Sequence, residues 1–337
     1  MLVCPDAFKG TWRASQVAAA LGRGLEAAAL EVDGIDLCPI ADGGEGTMDV
    51  LLTALCGETA GATVSDPLGR PVPAGYALIE DGATAIVEVA QASGLGLVAP
   101  RERDAEAAGT RGTGELVAAA IGAGAQVVLL AAGGSATTDG GAGAIAAIEE
   151  AGGLRGTALV VLFDVRTPFE LAAATFAPQK GADPPAVRRL AERLDALAAS
   201  WPADPRGRPL TGAAGGLSGG LWAALGARLE PGAAFVLDAL DFDRRAGAAS
   251  AVVTGEGRLD ETTLDGKAMA EVAARARRAG VPLHAVVGRD ALDVSGRAAL
   301  GLASVREAST LGELEAAGRD LGAALARASS RDRRPAD

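Results

Sequence analysis

Four times along this chain a short apolar run ends in a loop built from glycine and carboxylates. Leu2–Pro5 leads into Asp6-Ala7-Phe8-Lys9-Gly10. Ile35–Ile40 leads into Ala41-Asp42-Gly43-Gly44-Glu45-Gly46-Thr47. Gln126–Ala131 precedes Gly133-Gly134-Ser135-Ala136-Thr137-Thr138-Asp139-Gly140-Gly141. Ser250–Thr254 opens into Gly255-Glu256-Gly257-Arg258-Leu259-Asp260, and then Asp265-Gly266-Lys267. Helical periodicity recurs between these units. Alternation of strand, loop and helix predicts an α/β chain whose parallel sheet carries helices on both faces. In open sheets of that kind ligands bind beyond the carboxyl ends of the strands, where all four loops fall.

The helices are read from their apolar spacing. Val17, Leu21 and Leu25 repeat every four residues, with Ser15 as the expected N-cap. Thr47–Leu55 offers Leu51, Leu52 and Leu55 to a core. Thr113–Gly122 is a third helix. Met269, Val272, Ala273 and Ala276 make one face of a fourth, stopped at Gly280 before the strand Val281–Val287. Residues 61–98 break the pattern. Asp81-Gly82 between Leu78-Ile79-Glu80 and Thr84–Val89 is a hairpin signature, and Asp66-Pro67-Leu68-Gly69 is a second turn. The interruptions predict two domains that interleave in sequence. The expected boundaries are 1–60, 112–152 and 245–326 for a parallel-sheet domain, 61–111 and 153–244 for a second α/β domain, and a frayed tail over 327–337.

With 337 residues and a net charge of -12, the chain lacks the cationic surplus that nucleic acid or an anionic membrane demands. Neither a signal peptide nor a membrane-spanning run is visible, so a cytoplasmic protein is expected. A homodimer is compatible with this composition. Cys4, Cys38 and Cys56 form no CxxC, and Cys4 and Cys38 read as buried small hydrophobes. The one histidine, His284, sits inside an apolar strand and reads as a core residue. A Ser-His-Asp triad or a histidine-rich metal site therefore falls away, and proton transfer is left to carboxylates or lysines.

The loops themselves suit phosphate chemistry. Glycine lets backbone N–H groups approach a phosphate, and the helix N-termini that follow add partial positive charge. Carboxylates can hold Mg²⁺ or take a proton from an attacking hydroxyl. Lys9, Arg258 and Lys267 can neutralise a carboxylate or a transferring phosphoryl group. No Walker P-loop is present, because Glu261 stands where its first glycine belongs and Ala268 follows Lys267.

Taken in order, these strings resemble the type 1 glycerate kinases. The resemblance spans Pro5–Gly10, Pro39–Thr47, Asp66–Val72, Ala90–Leu95, Gly112–Leu116, Gly133–Thr137, Pro178–Ala182 and Thr254–Arg258. It implies ATP- and Mg²⁺-dependent phosphorylation of D-glycerate to 2-phosphoglycerate. It also implies a Rossmann-like domain and a second, mixed α/β domain with the active site in the cleft between them. Asp42, Asp6 and Lys9 would then be catalytic. Gly43, Gly44, Glu45, Ser135, Thr137, Asp139, Arg258 and Lys267 would bind substrate or phosphate. Asp164, Glu256 and Asp260 would be candidate ligands of Mg²⁺. The chain departs from the family at Thr138, at Arg111 and in Thr167–Ala174 after Asp164-Val165. A kinase for another small hydroxy acid, or a non-catalytic sensor of a hydroxy acid or nucleotide, is the alternative.

Overall fold

The computed structural model describes residues 1–28, 34–265 and 267–332; Gly266 and the tail residues 333–337 lie outside them. The chain divides into two compact units, Met1–Asp42 with Val236–Asp337, and Gly43–Phe235.

The first unit holds a five-stranded parallel sheet. Its strands are β1 (Leu2–Pro5), β2 (Asp36–Leu37), β9 (Val252–Gly255), β10 (Leu283–Val287) and β11 (Leu302–Glu307), ordered β11-β10-β9-β1-β2. β1 lies between β9 and the edge strand β2, pairing Leu2 with both Val252 and Asp36. The helix Ala14–Ala27 buries Val17, Leu21 and Leu25 together with Val3, Val253, Leu314 and Leu321. The helix starts two residues earlier than the Ser15 cap predicts, because the Gln16 side chain accepts from the Arg13 N–H at 3.0 Å and satisfies that end. The expected strand Ile35–Ile40 narrows to Asp36–Leu37. Beyond it the N–H groups of Cys38 and Ile40 still donate to the carbonyls of Val3 and Pro5. Helix Ala268–Ala279 buries Met269, Val272, Ala273 and Ala276 and ends at Gly280, as its spacing predicts. The last helix, Leu311–Asp332, carries regular structure through part of the tail expected to fray from residue 327.

The second unit is built on a six-stranded sheet in sequence order. β3 (Glu58–Ser65), β4 (Pro71–Ile79) and β5 (Thr84–Glu88) are antiparallel, with the predicted turns at Asp66–Gly69 and Glu80–Gly82 between them. β6 (Val127–Ala131), β7 (Ala158–Phe163) and β8 (Arg228–Pro231) extend it in parallel. Val87, Leu116, Val128, Leu130, Ile148, Val161 and Phe163 make its core. Helix Thr47–Leu55 forms where expected, but only Leu51 of its three leucines is fully buried, and Leu55 is exposed.

The unit boundaries differ from the expected ones. Residues 112–152 belong with the second sheet, because β6 is hydrogen-bonded to β5 on one side and to β7 on the other. Residues 43–60 also join that unit, whereas 236–244 join the first. A parallel strand is apolar on both faces wherever it lies, so its sequence does not name its neighbours. Among the described residues no helix is long and apolar enough to cross a membrane.

Candidate active site

Loops at the carboxyl ends of β1 and β9 line a cleft of about 370 Å³ on the first unit, the size of a small-ligand site. Asp6, Lys9, Asp42, Glu256, Arg258 and Lys267 all line it, with Gly257, Gly288 and Arg289. These residues come from three of the four loops read in the sequence. Lys9 Nζ donates to Asp42 Oδ2 at 2.7 Å. Asp42 is 2% exposed, whereas the Lys9 side chain is 56% exposed, so the pair has one buried and one solvated end.

The acids differ in their electrostatic setting. Burial raises the Asp6 carboxyl well above its usual value. The charge of Asp42 adds to this, and the Lys9 ammonium opposes it. The Ala7 N–H donates to Asp6 Oδ1 at 2.6 Å. Burial also pushes Glu256 up to about 7, although the Thr263 hydroxyl donates to it at 2.8 Å. Asp260 lies at the opposite extreme. Thr262 donates to its Oδ1 from both hydroxyl and N–H, Arg258 Nε donates to its Oδ2 at 2.9 Å, and the Thr262 hydroxyl chiefly holds its pKa down. Lys267 Nζ donates to the Thr262 hydroxyl at 2.7 Å. Arg258, Asp260, Thr262 and Lys267 thus brace one another at the edge of the cleft.

A divalent cation fits this donor set in one way. Asp6, Asp42 and Glu256 bring carboxylate oxygens into one cleft, and the charges of Asp42 and Glu256 both help hold a proton on Asp6. Among the described residues, however, no three His, Cys, Asp or Glu side chains gather into a cage. Such a site suits Mg²⁺ held by one or two carboxylates, its remaining positions filled by water and phosphate. Of the expected ligands, Glu256 is the better presented, since both Asp260 oxygens are already engaged. Asp164 follows β7 in the second unit, whereas Glu256 and Asp260 belong to the first.

The remaining expected residues gather in the second unit. Gly43 has a φ of +89°, and a Cβ there would lie 2.6 Å from Gly232 Cα. Gly133 packs directly on the neighbouring loop, where a Cβ would meet Gly44 Cα at 2.6 Å and Glu45 N at 3.1 Å. Segments 43–46 and 133–135 are therefore one packed surface. Ser135 and Thr137 lie on it and are buried. Asp139 is 1% exposed, and both its oxygens are taken. Oδ2 accepts from the N–H and hydroxyl of Thr110 and the N–H of Gly143, and Oδ1 from the N–H of Gly141. It braces the loop from behind.

Two polar residues escaped the sequence reading. Glu88 ends β5 and accepts the N–H groups of Gly46 and Met48, both at 2.9 Å. Gly46 has no side chain to cap helix Thr47–Leu55, and Glu88 does so from another strand. Its signal was an acid at the carboxyl end of an apolar run. The other is Lys180, inside the quoted string Pro178–Ala182 and almost wholly buried.

Where the chain departs from the family pattern, the structure supplies local reasons. Arg111 pairs with Glu115 and Glu150 at the surface, at 3.0 and 2.6 Å. Phe169, Ala172 and Ala173 fill a small core with Leu190 and Leu194, and Phe169 meets Trp201 edge-on at 5.7 Å. His284 is buried, with Nδ1 2.8 Å from Ser304 Oγ and Nε2 unpartnered among the described residues. As a core residue it should be dispensable for chemistry. His284→Leu is expected to retain wild-type turnover once folded, and a large loss of kcat in steady-state assays would return it to the mechanism.

Comparison with known proteins places the whole chain. A sequence profile described as the glycerate kinase family matches residues 1–150 and 148–331. A glycerate kinase of Bacillus subtilis (strain 168) is 37% identical over 326 residues, covering 86% of this chain and 84% of the relative. A glycerate 2-kinase of Escherichia coli (strain K12) is 33% identical over 323 residues, covering 86% and 85%. Among solved structures, a protein assigned as glycerate kinase 2 from Salmonella typhimurium LT2 superposes with a TM-score of 0.82. It is 31% identical and covers 98% of both chains.

Proposed function

The chain belongs to the glycerate kinase family, and from that premise we propose that it transfers the γ-phosphoryl group of ATP to D-glycerate, giving 2-phosphoglycerate. The observation that carries this reading is the Lys9–Asp42 pair, 2.7 Å apart in a carboxylate-rich cleft.

Two neighbouring carboxylates do not both ionise cheaply. Asp6 is the one whose proton is held, so Asp42 is the acceptor for the proton of the attacking glycerate hydroxyl. As that O–H bond breaks, the oxygen bonds to the γ-phosphorus, the bond to the β-phosphate oxygen breaks, and ADP leaves with the electron pair. Lys9 and Arg258 bring positive charge to the cleft where negative charge builds up. Magnesium, held by Glu256 and the nucleotide phosphates, would neutralise phosphate charge. Gly43, Gly44, Glu45, Ser135 and Thr137, on the second unit, would bind phosphate. The cytoplasm, where ATP is abundant, is the compartment proposed for the reaction.

Coupled ADP release with D-glycerate tests the reaction. Phosphorus NMR of the product tests the position. Phosphorus on the secondary oxygen is split by one proton into a doublet, and on the primary oxygen by two into a triplet. Binding of glycerate without ADP release would defeat the kinase reading in favour of a sensor.

A further inference from the structure

Lys180 is the most completely enclosed cationic side chain of the second unit's loop surface, at 3% exposure. A lysine is rarely buried without a task, because removing an ammonium from water is costly. Its Nζ donates to Ser135 Oγ at 3.0 Å and to the Thr137 carbonyl. Asp139 is the charged group whose field reaches it, and that carboxylate is already engaged by Thr110, Gly141 and Gly143.

The direction of these bonds matters. Ser135 Oγ accepts from Lys180, so its own proton must point elsewhere. Among the described residues that O–H finds no acceptor. The buried hydroxyls of Thr137 and Thr138 are unpartnered as well. Three hydroxyl groups with unspent donors thus fall on one loop, which Lys180 holds through Ser135 and the Thr137 carbonyl and which packs against Gly44 and Glu45. Buried donors of this kind ordinarily have a partner, and an oxyanion supplies one.

Resting on the kinase reading, we propose that Lys180 is a positioning residue that fixes loop 133–138 and turns the Ser135 hydroxyl outward as a donor to a substrate oxyanion. The oxyanion is a phosphoryl oxygen of ATP or the carboxylate of glycerate. Lys180 acts through Ser135, so its effect should vanish when Ser135 is gone. Burial lowers its pKa to about 7 against the opposing pull of Asp139, so the bond that orients Ser135 weakens as pH rises through that value. A neutral amine can accept from Ser135 and draw its proton inward.

A double-mutant cycle tests this. Lys180→Met and Ser135→Ala are each expected to lower kcat/KM about 100-fold, the loss typical of one oxyanion donor. The double variant should be no worse than either single one. Multiplied losses, near 10⁴-fold, would overturn the proposal, as would a folded Lys180→Met protein with ordinary kcat/KM. The KM that rises identifies the oxyanion: that of ATP for a phosphoryl oxygen, that of glycerate for the carboxylate. Should Lys180→Met fail to fold, the pH profile of kcat/KM decides with the native lysine in place. Wild type should lose activity as pH rises through about 7, and Ser135→Ala should lack that limb. Glu256 titrates in the same pH range but is present in both proteins, so it cancels in the comparison. An identical limb in both would refute the role of Lys180. Wild-type protein that releases no ADP with glycerate defeats the kinase reading itself, a different result from an active wild type with an indifferent Lys180.

Discussion

Asp42→Asn should fold normally and lose turnover by about three orders of magnitude, within the range assigned to a positioned general base. Asparagine keeps the size of the side chain and its acceptor oxygen toward Lys9, so the loop has little reason to move. It cannot take a proton from the attacking hydroxyl. The loss should appear in kcat with KM for ATP nearly unchanged, because the proton moves only in the transition state. The variant also removes the charge that helps hold a proton on Asp6. Asp6 should then ionise more readily, and any residual activity should rise with pH as it does. Near-normal kcat in Asp42→Asn would remove Asp42 from the chemistry and leave Asp6 as the base.

Gly133→Ala is expected to be as damaging by a different route. The added methyl would stand 2.6 Å from Gly44 Cα and 3.1 Å from Glu45 N. Both are backbone atoms, with no rotamer to move out of the way. The two loops must part, at a cost of about 1–3 kcal/mol for an overpacked site. A displacement near 1 Å at the surface proposed to bind phosphate would cost about 100-fold in rate. Gly122→Ala is the control, since a Cβ there meets nothing within 4 Å. Thermal melts and kcat should separate the two. A Gly133→Ala protein as stable and active as Gly122→Ala would mean that the loops are not held against each other.

What the sequence disclosed was local. The hairpin around Asp81-Gly82, the strand Leu2–Pro5 and the helix Thr47–Leu55 each depend on a few consecutive residues, and each formed where read. The burial of Cys4, Cys38 and His284 followed from their apolar settings. The unit boundaries could not be read, because Val127–Ala131 would look the same in either sheet. The Ser15 cap failed because Gln16 serves the end of that helix from within. At the site, the glycine-and-acid loops named Asp6, Lys9 and Asp42, and their shared cleft follows from β1, β2 and β9 lying side by side. Lys180 was passed over within its own motif. Its meaning lies in its enclosure and in a hydroxyl 45 residues away, which no local pattern carries.

The place of β1 between β2 and β9 has a consequence for synthesis. Its two neighbours are β2, a short way along the chain, and β9, which begins at Val252. The second unit is one continuous stretch, Gly43–Phe235, and can gather its core as it leaves the ribosome. The first 42 residues cannot do so. At roughly 5–20 residues per second, β1 waits on the order of 10–50 s for its partner strand. During that interval Asp6, Lys9 and Asp42 belong to a segment with no finished sheet beneath it. The cleft they line therefore cannot form until β9 has been made, and nascent chains truncated before Val252 should lack it.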